Sequence, residues 1–216
     1  MSNPGVILFD LDGVLIDSEA NMRISWEATR VAFDLNVEFI EYFSRIGRPF
    51  FDILELVGIQ RDKVAIKKVY DLVSSSRDDL VTINSECLEL ISTLQGRGFK
   101  VGVVTSKTRE RTDQILKRMP LVFDVIDCPE EGMLGKPNPD PLHRAMSSLE
   151  ARALHTLYVG DMDVDYECSQ AAGIAHVHVD WGYGEVPEDS ICVTRPIDIL
   201  RVIDDLGLGD QKKELP

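Results

Sequence analysis

The stretch Val6-Ile-Leu-Phe-Asp10-Leu-Asp12-Gly13-Val-Leu-Ile-Asp17-Ser18 decides the fold. A short apolar run that ends abruptly in acids reads as a buried strand. Gly13 lets the chain turn sharply where that strand stops. Asp10 and Asp12 are thereby expected together at the mouth of a hydrophobic core. Like charges held that close disfavour each other's ionised form unless something positive lies between them. A divalent cation resolves the conflict, and an all-oxygen site suits Mg2+. A carboxylate left free could then act as a nucleophile.

Working outward, further short apolar runs read as buried strands: Lys100 to Val104, Val122 to Ile126, Thr156 to Val159 and Ala175 to Val179. Helices are expected between them. Ser85 to Gln95 carries Leu88, Ile91 and Leu94 at helical spacing, with Ser85 as a cap and Gly96 after its end. Thr108 to Met119 stops at Pro120, Pro139 to Leu149 opens on prolines, and Val164 to Ala172 ends at Gly173. Alternating strands and helices imply an α/β fold: a Rossmann-like three-layer core with a parallel sheet. Residues from Ser18 to Val81 break that rhythm, with apolar residues at Ile24, Ala28, Val31 and Leu35 and again at Val64, Val69, Leu72 and Val73. They read as a small helical cap (18–81) inserted into a core made of 1–17 and 82–216, with hinges near Asp17 to Glu19 and Leu80 to Thr82. The aromatics Phe33, Phe39, Phe43, Phe50 and Phe51 are expected to pack the cap, and the polar tail Gly207 to Pro216 to fray.

Composition narrows the function. The 216 residues carry a net charge of −14, which argues against general nucleic-acid affinity. No apolar run approaches the ~20 residues of a membrane span. Cys87, Cys128, Cys168 and Cys192 are scattered without a C-x-x-C pair, so a zinc site is not expected. A cytoplasmic protein, monomer or homodimer, without a nucleic-acid or membrane partner is the simplest account.

Three more polar clusters follow apolar runs. Val101-Gly-Val-Val-Thr105-Ser106-Lys107 ends in a hydroxyl, Leu157-Tyr-Val-Gly160-Asp161-Met-Asp163-Val-Asp165 ends in acids, and Gly135-Lys136-Pro137 presents a lysine. In open parallel sheets ligands bind beyond the carboxyl ends of the strands, so all should gather on one edge. A nucleophilic carboxylate, a metal, a hydroxyl and a lysine together make a phosphoryl-transfer site.

Asp10-Leu-Asp12-Gly-Val-Leu, Thr105, Lys136-Pro137 and Gly160-Asp161-x-x-x-Asp165 resemble, in order, the four motifs of the haloacid dehalogenase superfamily of phosphohydrolases. The insert after the first motif is similar to the small C1 cap of phosphoglycolate phosphatase-like members. The resemblance implies a Mg2+-dependent phosphatase acting on a small phosphorylated metabolite, with 2-phosphoglycolate the leading single substrate. Asp10 would be the nucleophile, Asp12 the proton shuttle and Lys136 the neutralising cation. Thr105 and Ser106 would hold the phosphoryl group. Asp10, Asp12, Asp161 and Asp165 would form the metal set, Asp12 through its carbonyl, with Asp165 supporting waters or orienting Lys136. Arg45 and Arg48, in the cap loop Arg45-Ile-Gly47-Arg48-Pro49, are candidates for reading the leaving group. Asp163 and Asp17 read as caps, and His176 and His178 as structural. Trp181-Gly-Tyr183-Gly flanks the expected site without an assigned role. The rivals are a sugar phosphomutase of the beta-phosphoglucomutase type and a non-catalytic binding protein on the same fold.

Overall fold

The computed structural model describes residues 5–208; most of the tail expected to fray lies outside them. The central strand β1 (Val6–Phe9) leads to β2 (Ile16–Asp17). Four helices follow: α1 (Glu19–Phe33), α2 (Phe39–Phe43), α3 (Phe50–Leu56) and α4 (Lys63–Ser76). The chain returns through β3 (Thr82–Ile83), α5 (Ser85–Gly96) and β4 (Lys100–Val104). It then alternates through α6 (Arg109–Leu116), β5 (Val125–Asp127), α7 (Asp140–Ser148), β6 (Thr156–Gly160), α8 (Asp163–Ala172) and β7 (Ala175–Val179). It closes on β8 (Cys192–Val193) and α9 (Ile199–Asp205), neither of which the sequence patterns suggested.

Six strands form one parallel sheet in the order β5-β4-β1-β6-β7-β8. Because β1 lies between β4 and β6, three strand ends from distant parts of the chain become neighbours: Asp10, Thr105 and Asp161. Ile7, Phe9, Val101, Val103, Leu157 and Val159 point into one buried layer under α5 and α9. Val6, Leu8, Val104 and Tyr158 point into the other, under α7 and α8. Both faces are covered, so the strands read as continuous apolar runs rather than alternating ones.

Two expectations are corrected here. The strand expected at Val122 to Ile126 begins three residues later. Asp124 uses its carboxylate to accept the Val101 N–H at 2.8 Å, and pairing with β4 starts only at Val125. Val122 is 82% exposed. The stripes expected to face the cap interior also point the wrong way: Val31 and Leu72 are 77% and 70% exposed. The buried face of α1 is Asn21, Met22, Ser25, Trp26 and Thr29, and that of α4 is Ile66, Tyr70 and Ser74. Polar residues are tolerated there because they satisfy one another. Asn21 Nδ2 donates to the Ser74 and Arg77 carbonyls at 2.9 and 2.8 Å, and Ser74 Oγ donates back to Asn21 Oδ1 at 2.7 Å. Aromatic rings fill the rest: Trp26 stacks on Tyr42 at 4.2 Å between centroids, and Phe39, Phe43 and Phe50 join them. Phe51, expected among them, is 40% exposed.

A smaller adjustment concerns α5. Its N-cap is Asn84, whose Oδ1 accepts the Glu86 and Cys87 N–H groups, rather than Ser85. The antiparallel pair β2–β3 lies where the hinges were expected, at the neck between the helical segment and the sheet. Among the described residues no helix is long and apolar enough to cross a membrane.

Candidate active site

The acidic strand end is built around a buried lysine. Lys136, 1% exposed, donates from Nζ to Asp10 Oδ1 at 2.8 Å, Asp165 Oδ1 at 2.6 Å and the Tyr158 hydroxyl at 3.1 Å. All three ammonium hydrogens are thereby used. Burial opposes its charge, but Asp10 and Asp165 outweigh that and hold its pKa above the ordinary lysine value.

Asp165 is saturated as well. Its Oδ1 meets Lys136 and the Tyr158 hydroxyl, and its Oδ2 accepts the Asp161 and Met162 N–H groups at 3.3 and 3.1 Å. Those four contacts fill the lone-pair positions of a carboxylate. Burial works against its ionisation, yet Lys136 prevails and keeps its pKa below the usual value.

Asp161 is different. It is fully buried; among the described residues its Oδ2 accepts only the Tyr183 N–H, at 2.8 Å, and its Oδ1 has no partner. Burial, then the charges of Asp165 and Asp10, push its pKa well above the ordinary value. Asp10 is pushed up to about 7 by burial, against the pull of Lys136 and with the help of Asp165 and Asp12. Oxygens of Asp10, Asp161 and Asp165 lie within 4.8 Å of one another. An orphaned carboxylate oxygen in an all-carboxylate cluster fits a hard divalent cation. With Asp165 saturated, Asp10 and Asp161 are the acids with oxygen positions left to offer. The turn at Gly13 is part of this cradle: its φ is +80°, and a β-carbon there would fall 2.1 Å from Asp161 Oδ2.

Asp12 sits one turn away and less deeply. Its Oδ1 accepts the Ser18 hydroxyl and lies 3.2 Å from Lys107 Nζ, with 19% of the side chain exposed. Thr105 is buried at the end of β4, its N–H donating to the Asp127 carbonyl at 3.1 Å and its hydroxyl accepting the Lys107 N–H at 3.1 Å. Ser106 Oγ donates to the Gly47 carbonyl at 2.5 Å, joining sheet edge to cap loop.

Asp10, Asp12, Thr105 and Ser106 all line one cavity of about 90 Å3, roofed by residues of the helical segment. The two cap arginines separate here. Arg48 lines the cavity and reaches Asp163 Oδ2 at 3.5 Å. Arg45 is exposed and outside the lining. Asp163, expected as a cap, is the first residue of α8 and its Oδ1 accepts the Val164 N–H at 2.8 Å; the N-cap is Met162, whose N–H is held by Asp165. His176 and His178 are buried on β7, away from the cavity lining, and burial lowers the pKa of both, His176 to about 4.

Sequence reasoning did not single out three residues that matter in this geometry. Tyr158 completes the lysine cluster, but a tyrosine inside an apolar strand carries no local signal. Tyr183 was noted without a role. Its N–H holds Asp161, its hydroxyl accepts the Ser18 N–H at 2.7 Å and lies 2.9 Å from Asp17 Oδ1, and its ring packs on Phe43 of α2 at 5.2 Å. Arg111, on α6, lines the cavity, and nothing in the sequence of that helix singled it out.

Four likenesses bear on this site. The model of the haloacid dehalogenase-like hydrolase family matches residues 7–179. The pyrophosphatase PpaX of Bacillus cereus is 29% identical over 219 residues, covering 93% of this chain and 97% of that protein. A predicted phosphoglycolate phosphatase from Haemophilus somnus superposes with a TM-score of 0.79 at 22% identity, covering 94% of this chain and 99% of that one. A candidate beta-phosphoglucomutase from Bacteroides vulgatus does so with 0.81 at 20%, covering 97% and 91%. At those identities the two structures speak to the fold alone.

Proposed function

The chain belongs to the haloacid dehalogenase-like hydrolases, and on that premise we propose that it is a Mg2+-dependent phosphatase that hydrolyses a small organic phosphomonoester through an aspartyl-phosphate. The observation that supports this reading is the pairing of a saturated Lys136–Asp165 unit with two unsaturated acids, Asp10, which lines the cavity, and Asp161, buried within 4.8 Å of it.

Asp10 attacks phosphorus; its carboxylate oxygen forms a bond to phosphorus as the ester oxygen leaves. Asp12 gives that oxygen its proton. In the second step water attacks phosphorus, Asp12 takes a proton from it, and the bond to Asp10 breaks. Ser18 and Lys107 hold Asp12 in place for both steps. Lys136 balances charge on Asp10 throughout, and Asp165 with Tyr158 fixes where that ammonium points. The Thr105 hydroxyl and the Ser106 N–H receive the phosphoryl oxygens. Asp10 and Asp161 would hold Mg2+, which would supply positive charge to offset the negative charge of the attacking carboxylate and the phosphoryl group. Residues 18–81 act as the cap that screens the cavity from water.

Release of inorganic phosphate from a panel of esters with Mg2+ tests the reading. The panel includes 2-phosphoglycolate and, because of the name of the Bacillus relative, inorganic pyrophosphate. Asp10→Asn is expected to lower the best activity on the order of 10^4-fold or more while the chain stays folded. Isomerisation of a sugar phosphate without phosphate release would favour the mutase instead. Release that is indifferent to Asp10→Asn would remove the proposal.

A further inference from the structure

The carboxylate of Asp12 is held at one oxygen. Its Oδ1 accepts the Ser18 hydroxyl and lies 3.2 Å from Lys107 Nζ, and among the described residues no hydrogen bond reaches its Oδ2. Ser18 is an unusual holder. It stands at the N-cap of α1, 1% exposed, where a serine hydroxyl ordinarily accepts an N–H of the first helical turn. Here it caps nothing and donates to Asp12 instead, while Asp17 Oδ1 accepts the Glu19 N–H at 3.1 Å. The start of the helix has given up a local bond, and the group so released holds the proton shuttle.

What sets Ser18 in turn is Tyr183. Its hydroxyl accepts the Ser18 N–H at 2.7 Å and donates to Asp17 Oδ1 at 2.9 Å, so it joins the last residue of β2 to the N-cap of α1. The tyrosine is itself pinned. Its N–H donates to Asp161 Oδ2 at 2.8 Å, its ring packs on Phe43 at 5.2 Å, and its neighbour Trp181 donates from Nε1 to the Val14 carbonyl at 3.1 Å. Gly182 lets this loop lie against the acid: a β-carbon there would fall 2.1 Å from Asp161 Cβ. Closing the neck does not by itself account for the hydroxyl, because β2 and β3 already pair there, Asp17 with Thr82 and Ile16 with Ile83. We propose that Tyr183 is a positioning residue for proton transfer: its hydroxyl fixes Ser18, and Ser18 turns Asp12 so that Oδ2 is the oxygen that exchanges the proton. A carboxylate left to rotate is out of reach of the leaving oxygen for part of the time, and general acid catalysis falls accordingly. The inference rests on the phosphatase reading for the role of Asp12.

Steady-state phosphate release by the full chain with Mg2+ tests it, on the alkyl ester of the panel that is cleaved fastest. Tyr183→Phe is expected to lower kcat and kcat/KM alike, by about ten-fold or more, with KM little changed. Ser18→Ala is expected to do the same. Because Tyr183 acts through Ser18, adding Tyr183→Phe to Ser18→Ala is expected to lower the rate by less than about two-fold more. Acetyl phosphate gives a second reading. Its leaving acetate needs no proton, so the loss of kcat/KM in Tyr183→Phe is expected to be at least about five-fold smaller there than on the alkyl ester. If acetyl phosphate is not cleaved, the double variant decides alone. An unchanged rate in Tyr183→Phe, losses that multiply in the double variant, a loss confined to KM, or equal losses on the two substrates overturns the proposal and leaves the phosphatase reading standing. A natural chain that releases phosphate from no ester overturns the phosphatase reading and this proposal with it.

Discussion

On the core side, behind Asp10, Lys136 uses every ammonium hydrogen on Asp10, Tyr158 and Asp165, and Asp165 fills every acceptor position. On the cap face, Arg48 comes no closer than 3.5 Å to Asp163 and keeps a buried nitrogen without a partner. On the proposed reading, the two faces answer different demands. Bond making at phosphorus needs charges held in one geometry before the substrate arrives. Choosing a leaving group needs donors that only the right ligand completes.

The contrast can be broken most forcefully at the lysine. Lys136→Met leaves the Asp10 and Asp165 carboxylates buried without their shared cation. The expected loss is about 3–5 kcal/mol of stability, read as a lower urea midpoint at unchanged slope. A loss near that of an ordinary surface substitution would mean the core face is less tightly built than its distances say.

Cation binding sharpens the same contrast through pH. Asp10 is raised from 3.8 to about 7 by burial, so its neutral form favours the fold. That contribution is complete below the unfolded value and is lost as pH rises through the folded one, between about 4 and 7. Asp161 moves in the same direction. Mg2+ competes with these protons, so it should stabilise the chain more at pH 8 than at pH 5. At a hundredfold excess over Kd the gain is about 2.7 kcal/mol. Melting with and without Mg2+ at both pH values decides it; an equal shift at both would exclude Asp10 and Asp161 as the ligands.

The gentlest test sits between the faces. Tyr183→Phe removes the hydroxyl that meets Ser18 and Asp17 while keeping the ring against Phe43 and the N–H on Asp161. A loss of about 1 kcal/mol in chemical unfolding is expected. No change would show that the neck does not depend on this hydroxyl.

Much of the core face was legible in the chain. Apolar runs ending in Asp10, Thr105 and Asp161 were readable because a buried parallel strand is a local pattern, and the lysine turn at Gly135-Lys136-Pro137 stood out for the same reason. The cap was read less well. Its interior combines the hydrogen-bonded pair Asn21–Ser74 and the stacked Trp26 and Tyr42 with aliphatics such as Ile53, Leu54 and Ile66, most of which lie outside the stripes read from spacing. Periodicity counts apolar residues and cannot see such pairs. Arg111 was invisible for a related reason. A charged helix reads as solvated until packing shows which side meets the cavity.

By itself, the sequence determined the parallel sheet, the sheet edge where chemistry collects, and the acids, hydroxyl and lysine that stand there. Those follow from short-range pattern and from the rule that parallel strands present their carboxyl ends together. Only the tertiary structure decided which oxygens stay free, which of two neighbouring arginines faces inward, and that Tyr183 joins Asp161 to the neck. Whether a long polar side chain finds a partner depends on residues tens of positions away or, for Lys136 and Asp10, 126, and no local rule carries that information.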